Sequence, residues 1–81
     1  MGNLIYQTEF LSFYKYHPSD RKTPIYHIRP VRNDFDYLGC VKWYGPFRKY
    51  TFYPEGGTVF DDKCLNDISY FIKNLAGKEG Y

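Results

Sequence analysis

The hydrophobic period changes once along the chain, and this change constrains the fold most. Beyond residue 60, apolar side chains recur at steps of three and four residues, which predicts an amphipathic helix over residues 61–76. Asp61 is a favourable N-cap, and Gly77 is placed for a left-handed C-cap. The apolar stripe consists of Cys64, Leu65, Ile68, Phe71, Ile72 and Leu75. Because an isolated helix of this length is marginally stable in water, its stripe must cover one face of a sheet.

Upstream of the helix, the chain divides into runs rich in β-branched and aromatic residues, separated by Pro, Gly, Asn and Asp. The runs cover residues 10–16, 24–29, 37–44 and 47–53. We therefore predict one α+β domain over residues 1–81, with a four-stranded antiparallel meander across residues 10–53 and the C-terminal helix packed on one face. Residues 1–9 are expected to form an extension or a strand that pairs with a neighbouring subunit, and residues 77–81 a tail.

Gly45 and Pro46 are predicted to form a two-residue loop between the last two strands. In this register Tyr44 lies opposite Phe47 and Lys42 opposite Lys49. Strand side chains alternate between the two faces of a sheet. One face then carries Gly39, Val41, Trp43, Tyr50 and Phe52, with Arg48 at its rim, and the other carries Leu38, Cys40, Lys42, Tyr44, Phe47, Lys49, Thr51 and Tyr53. The first face is the expected helix side, which leaves the second open to solvent.

The chain carries more aromatic residues than a core of this size encloses. Aromatic residues make up 22% of the 81 residues, and ten of them are Tyr. Each ring buries roughly 150 to 250 Å² when it is enclosed. Some rings must therefore lie on the surface, and this surplus favours a binding module.

The net charge of +2 is too small to indicate a dedicated binder of duplex DNA. The distribution of charge is more informative than the total. Residues 15–53 contain eight basic and three acidic residues, whereas residues 54–81 contain three basic and five acidic residues. The predicted sheet is thus basic and the helical end acidic.

Basic side chains beside aromatic rings on the open face predict binding of an anionic nucleotide. Ammonium and guanidinium groups pair with phosphate, and a ring provides a surface on which a base stacks. The predicted ligand-binding residues are Arg29, Lys42, Tyr44, Phe47, Arg48, Lys49 and Tyr53. A homo-oligomer would let a thin domain enclose such a ligand. The competing interpretation is that the same rings are buried at a subunit interface without any ligand.

Two further binding functions remain open from the sequence. A single-stranded nucleic acid would use the same face as an open platform, with an affinity that rises with strand length. A protein-binding inhibitor or adaptor would use exposed Tyr and Arg as hot-spot residues. The small net charge ranks single-stranded nucleic acid below a nucleotide, because an open electrostatic platform usually carries a larger positive excess, whereas the sequence does not exclude a protein partner.

We predict no enzymatic activity, no metal site and no cofactor. His17 and His27 have no carboxylate at a triad or zinc spacing, although His27 beside Arg29 is the pair to watch for chemistry across a subunit interface. Cys40 and Cys64 are expected to be reduced thiols. Neither a signal peptide nor an apolar run of membrane-spanning length is present in the sequence. These features predict a cytoplasmic protein without membrane contact.

The chain resembles small, mostly uncharacterised proteins of bacteria, phages and mobile elements. The resemblance covers about residues 22–75 and depends most on the segments 38–54 and 64–72, which hold Leu-Gly, Lys-Trp and Cys-Leu pairs. Phe47 stands where the family pattern favours Trp. The resemblance implies an accessory gene of viral type. By analogy with small phage proteins that sequester the nucleotide signals of bacterial immunity, it implies an anti-defence sponge in the cytoplasm of a bacterial host.

Overall fold

The computed structural model describes residues 2–33 and 36–78. Its elements are β1 (Asn3–Gln7), β2 (Leu11–Tyr16), β3 (Ile25–Pro30), β4 (Gly39–Tyr44), β5 (Lys49–Pro54) and α1 (Asp62–Asn74). The strands form one antiparallel sheet in the order β1-β2-β3-β4-β5. The α+β class, the meander and the C-terminal helix are thus confirmed, with five strands where we predicted four. Residues 79–81 of the predicted tail lie outside the described residues.

The additional strand is β1, which pairs with β2 of its own chain. A tight turn makes this pairing local: the Thr8 N–H donates to the Leu11 carbonyl at 2.8 Å, and the Leu11 N–H donates to Thr8 Oγ1 at 3.1 Å. The Tyr6 ring then lies 5.5 Å from that of Phe13 and 6.0 Å from that of Phe71. Of the two predicted forms of residues 1–9, an extension or a strand, the structure shows a strand, which forms one edge of the chain's own sheet. Pairing of this segment with a neighbouring subunit stays a prediction.

The turn between β4 and β5 is longer than predicted. Gly45–Phe47 forms a 3-10 turn, and Arg48 follows in the left-handed conformation with φ 53°. Pro46 favours this turn because its φ is held near the helical value. The register consequently pairs Tyr44 with Lys49 and Lys42 with Thr51, so the predicted opposition of Lys42 and Lys49 is wrong. The shift amounts to two residues, and each side chain therefore keeps its predicted face.

The core lies between α1 and one face of the sheet. Its buried residues are Leu11, Phe13, Tyr26, Ile28, Val41, Ile68, Phe71 and Ala76. The Phe71 ring is central, because it stacks 4.4 Å from the Phe13 ring and meets the Tyr26 ring edge-on at 5.0 Å. Leu65, predicted in the buried stripe, is 49% exposed because it stands at the margin of the helix face that meets the sheet.

Asp61 caps the start of α1 as the sequence predicts, whereas the helix, predicted over residues 61–76, ends at Asn74 with Leu75 as its C-cap, two residues before Gly77. The Asp61 side chain accepts a hydrogen bond from the Cys64 N–H at 2.9 Å. Gly77 adopts a left-handed φ of 74°, and its N–H donates to Tyr26 Oη at 2.8 Å. A Cβ at Gly77 would come within 2.6 Å of the Tyr50 ring. The end of the helix is therefore fixed closely against β3 and β5.

Candidate functional site

The sheet face opposite α1 carries most of the predicted ligand-binding residues, and we call it the open face. Phe13, Tyr26, Ile28 and Val41 pack in the core beneath the helix. Because side chains alternate along a strand, the residues next to them lie on the open face. The open face carries Tyr14, Tyr16, His27, Arg29, Cys40, Lys42, Tyr44, Lys49, Thr51 and Tyr53. It is thus an aromatic and basic surface, as the sequence predicts.

Lys42 lies within a group of aromatic rings at one end of the open face. Its Nζ is 4.6 Å from the centroid of the Tyr53 ring. The Tyr44 ring meets the Tyr53 ring at 6.3 Å and the Phe47 ring at 4.8 Å, both nearly perpendicular. We call these four residues the Lys42 cluster. Because Phe47 is 63% exposed and Lys42 only partly so, the cluster presents its rings to solvent around an ammonium held by a cation–π contact.

The remaining predicted residues do not all join this cluster. Lys49 lies across the ladder from Tyr44, on the same face and at its edge. Arg48 belongs to the turn and lines a cleft on the helix side of the sheet. Arg29 lies on the open face two strands away from β5. The structure therefore joins Lys42, Tyr44, Phe47 and Tyr53 and separates Arg48 from them.

A second group of rings surrounds Arg29. The Arg29 guanidinium carbon lies 5.6 Å from the centroid of the Tyr37 ring, and its Nη1 donates to the Asp36 carbonyl at 3.1 Å. The His27 ring is 5.3 Å from that of Tyr37 and 6.1 Å from that of Tyr16. Tyr37 is not among the predicted ligand-binding residues, because the sequence places it in the predicted strand over residues 37–44, whereas β4 begins only at Gly39 and Tyr37 lies before it.

His27 and Tyr37 are both held in their neutral forms. Burial lowers the pKa of His27, and the positive charge of Arg29 lowers it further. Burial raises the pKa of Tyr37 well above its ordinary value, and a hydrogen bond to the Cys40 side chain adds to this effect. The buried His27 Nδ1 has no hydrogen-bond partner within the described residues. The group thus offers neutral rings and one cation, which suits stacking and ion pairing.

The described residues hold no group of three His, Cys, Asp or Glu side chains placed to bind a metal ion. Cys40 and Cys64 are both free thiols. No helix in the part of the chain that the structure describes is long and apolar enough to cross a membrane.

A cleft of about 420 Å³ opens on the helix side, between the β4–β5 turn and the end of α1. Trp43 and Tyr50 of the hairpin and Ile72 of the helix provide its apolar wall. Among the described residues, its charged lining is basic: Arg48, Lys49, Lys73 and Lys78. We call this the hairpin–helix cleft. Nothing in the sequence predicts it, since it forms only where the helix end meets the turn.

Comparison with known proteins finds a relative in a phage. The chain is 41% identical over 69 residues to an uncharacterised 9.3 kDa protein of Acholeplasma phage L2, and the match covers 84% of this chain and 86% of that protein. No family model matches the chain. No solved structure matches it either.

Proposed function

The chain belongs to the same family as the 9.3 kDa protein of Acholeplasma phage L2, and we propose that it is a non-enzymatic protein that binds an anionic nucleotide on the open face. The observation that carries this proposal is the Lys42 cluster, in which an ammonium lies 4.6 Å from one ring and two further rings stand beside it. A nucleotide needs this combination, because its phosphate requires a cation and its base requires a π-face.

The parts of the cluster have separate roles in the proposal. The Lys42 ammonium pairs with phosphate, and Lys49 at the edge of the face adds a second cation for it. Phe47 and Tyr44 meet at 89°, so a base that stacks on one of them contacts the edge of the other. Such offset and edge-on arrangements are the favoured geometries of aromatic contacts.

Sequestration in a phage-infected bacterial cell is the biological role we propose. A family that includes a phage protein supports this role, and a sponge needs tight binding without any chemical step. The Lys42 cluster lies on a sheet surface, whereas small-molecule sites are usually concave. We therefore also propose that a second copy of the chain closes over the open face and completes the site.

A thermal-shift screen against mono-, di- and cyclic nucleotides tests the binding. A ligand present at 100 times its Kd adds about 2.7 kcal/mol to the free energy of unfolding, which raises the Tm of a domain of this size by roughly 10–20 °C. Lys42→Gln should abolish the shift. Lys22→Gln, which removes one charge from an exposed turn, is the matched control and should keep it. The absence of a shift with every nucleotide would refute the proposal.

Single-stranded nucleic acid is a second candidate ligand, and one observation favours it. The open face carries two groups of rings, each with a cation: Lys42 lies beside Tyr53 and Tyr44, and Arg29 lies beside Tyr37, next to His27 and Tyr16. Such a platform should bind longer oligonucleotides more tightly, and the affinity should fall steeply with salt. A site for one nucleotide should instead saturate with a mononucleotide and gain nothing from length.

A protein partner is the third candidate, because exposed aromatic residues are typical hot spots. The exposed Phe47 and Tyr44 rings would be its anchors. Co-purification of a bacterial protein at 1:1 stoichiometry that is lost in Phe47→Ser would favour this function over both nucleotide ligands.

Binding without turnover is the expected outcome for any bound nucleotide. Mass spectrometry of the ligand recovered after prolonged incubation should show it intact. His27 is the residue to vary in the counter-test, because it stands beside Tyr37 and on the same strand face as Arg29. Cleavage of the ligand that disappears in His27→Ala, with binding retained, would identify the protein as an enzyme.

A further inference from the structure

The hairpin–helix cleft has the composition of a site for a second type of ligand. Its volume of about 420 Å³ lies in the range of small-molecule sites. It lies on the helix side of the sheet, whereas the Lys42 cluster lies on the open face. Lys49 borders both regions, so the evidence for a ligand in the cleft rests on the other residues that line it, chiefly Trp43, Arg48 and Lys73.

The wall of the cleft offers an aromatic surface. Trp43 is 40% exposed, and its ring meets that of Tyr50 nearly perpendicularly at 5.4 Å. The near-perpendicular contact means that Tyr50 does not stack on the indole ring. Trp43 and Ile72 both line the cleft, so a planar ring bound there has an aromatic and an aliphatic side chain to contact.

The rim of the cleft concentrates positive charge from two distant parts of the sequence. Arg48 ends the β4–β5 turn and Lys49 begins β5, whereas Lys73 lies in the last turn of α1 and Lys78 follows the helix. The Lys78 Nζ donates to the Lys73 carbonyl at 2.8 Å, which holds its ammonium at the helix end. The carbonyl end of a helix repels anions, and these lysines offset that effect. An anion entering the cleft thus meets cations from both sides.

The cleft is formed in advance of any ligand. Gly77 is hydrogen-bonded to the buried Tyr26 and lies so close to Tyr50 that a Cβ would reach within 2.6 Å of its ring. Arg48 is placed by a turn in which its own N–H donates to the Gly45 carbonyl at 3.0 Å. Little conformational freedom of the backbone is therefore lost on binding.

We infer that the hairpin–helix cleft binds a small aromatic anion, meaning a planar ring that carries a phosphate, sulfonate or carboxylate group. The ring stacks on Trp43, and the anionic group lies between Arg48 of the turn and Lys73 of the helix. Aryl phosphates are the simplest members of this chemical class.

The test uses Trp43 itself, since it is the one tryptophan in the sequence. Its indole N–H gives a single side-chain signal in a ¹H–¹⁵N spectrum, and titration with phenyl phosphate should shift this signal with saturation. Inorganic phosphate supplies the anion without the ring, and phenol the ring without the anion. Each should bind at least tenfold more weakly than phenyl phosphate.

Variants assign the binding to the cleft. Arg48→Asn combined with Lys73→Gln should weaken phenyl phosphate at least tenfold, and Asn at position 48 tolerates the left-handed backbone, so the fold is retained. Lys63→Gln is the matched control, because it removes a lysine from the first turns of the same helix. Lys42→Gln should leave this binding unchanged, which separates it from the open face.

Three results would overturn the inference. One is equal affinity in the double variant and in Lys63→Gln. Another is phenol binding as tightly as phenyl phosphate, which would reduce the contact to apolar packing. The third is a set of shifted signals confined to the open face, with that of Trp43 unmoved.

Discussion

Tyr26→Phe removes one hydroxyl group that joins the centre of the sheet to the end of α1. Tyr26 is fully buried on β3, and its Oη accepts the hydrogen bond from the Gly77 N–H at 2.8 Å. The Phe ring keeps the edge-on contacts with Phe71 at 5.0 Å and with Tyr50 at 5.9 Å. The variant therefore tests polar contacts of the hydroxyl with little change in packing.

The expected loss of stability in Tyr26→Phe depends on whether the Gly77 N–H, which loses its acceptor, can be reached by water. A net intramolecular hydrogen bond contributes about 0.5–1.5 kcal/mol, and a donor left unpaired in the interior costs about 1–3 kcal/mol. Gly77 lies at the surface, so water can reach its N–H and the larger penalty does not apply. We expect a loss of about 1 kcal/mol in the free energy of unfolding, or roughly 4–8 °C in Tm.

Urea unfolding followed by Trp43 fluorescence measures this loss. Tyr70→Phe is the matched control: Tyr70 is 51% exposed on α1, and its ring stacks 6.2 Å from that of Tyr6, a contact that Phe preserves. The control should change stability by less than about 0.5 kcal/mol, as is usual for a surface substitution. Equal stability of the two variants would refute the reasoning, because the hydroxyl of Tyr26 would then add nothing beyond its ring.

Three further outcomes are expected. Gly77→Ala should lower the free energy of unfolding by about 2 kcal/mol in thermal unfolding, because Gly77 has a left-handed φ and the new Cβ would meet the Tyr50 ring. Gly56→Ala is the control: its Cβ would have no atom within 4 Å, so the variant should be neutral or slightly stabilising. Arg48→Gly should leave Tm unchanged or raise it slightly, since glycine adopts a positive φ without strain. A fall of more than about 1 kcal/mol in the free energy of unfolding would contradict this expectation. Stability should decline as pH falls below about 6.5, because the unfolded His27 takes up a proton there while burial and Arg29 hold its folded pKa lower. Urea titrations at pH 7 and pH 5 should show that the free energy of unfolding falls less in His27→Gln than in the unsubstituted protein. An equal fall in the two proteins would contradict this role of His27.

The sequence predicts the helix and the two faces of the sheet for different physical reasons. The helix follows from local signals, namely the apolar period, the Asp61 cap and Gly77. The faces are correct although the β4–β5 register is wrong, because a shift of two residues preserves alternation. The sequence predicts β1 only as an extension or a strand outside the meander, because the bulge between Leu4 and Tyr6 breaks its alternation.

The candidate sites also differ in whether local sequence patterns predict them. The Lys42 cluster was predictable because alternation alone puts Lys42 and Tyr44 on one face and Tyr53 beside them. Tyr37 and the hairpin–helix cleft were not, since both depend on where a loop and a helix end come to lie in space. Arg48 keeps its predicted place at the rim of the helix-side face, and it is thereby separated from the ligand-binding residues of the open face with which it was grouped.

Folding brings together basic residues that are far apart in the sequence, and the sequence-level charge distribution does not show this. Residues 54–81 hold five acidic and three basic residues, so the sequence describes this end of the chain as acidic. Two of the three basic residues, Lys73 and Lys78, nevertheless meet Arg48 and Lys49 across the cleft, while Lys63 lies in the first turns of α1. Four of the eleven basic residues thus line one cleft in a chain whose net charge is only +2. A local field of this kind attracts anions that the total charge would not, and screening by salt should weaken it.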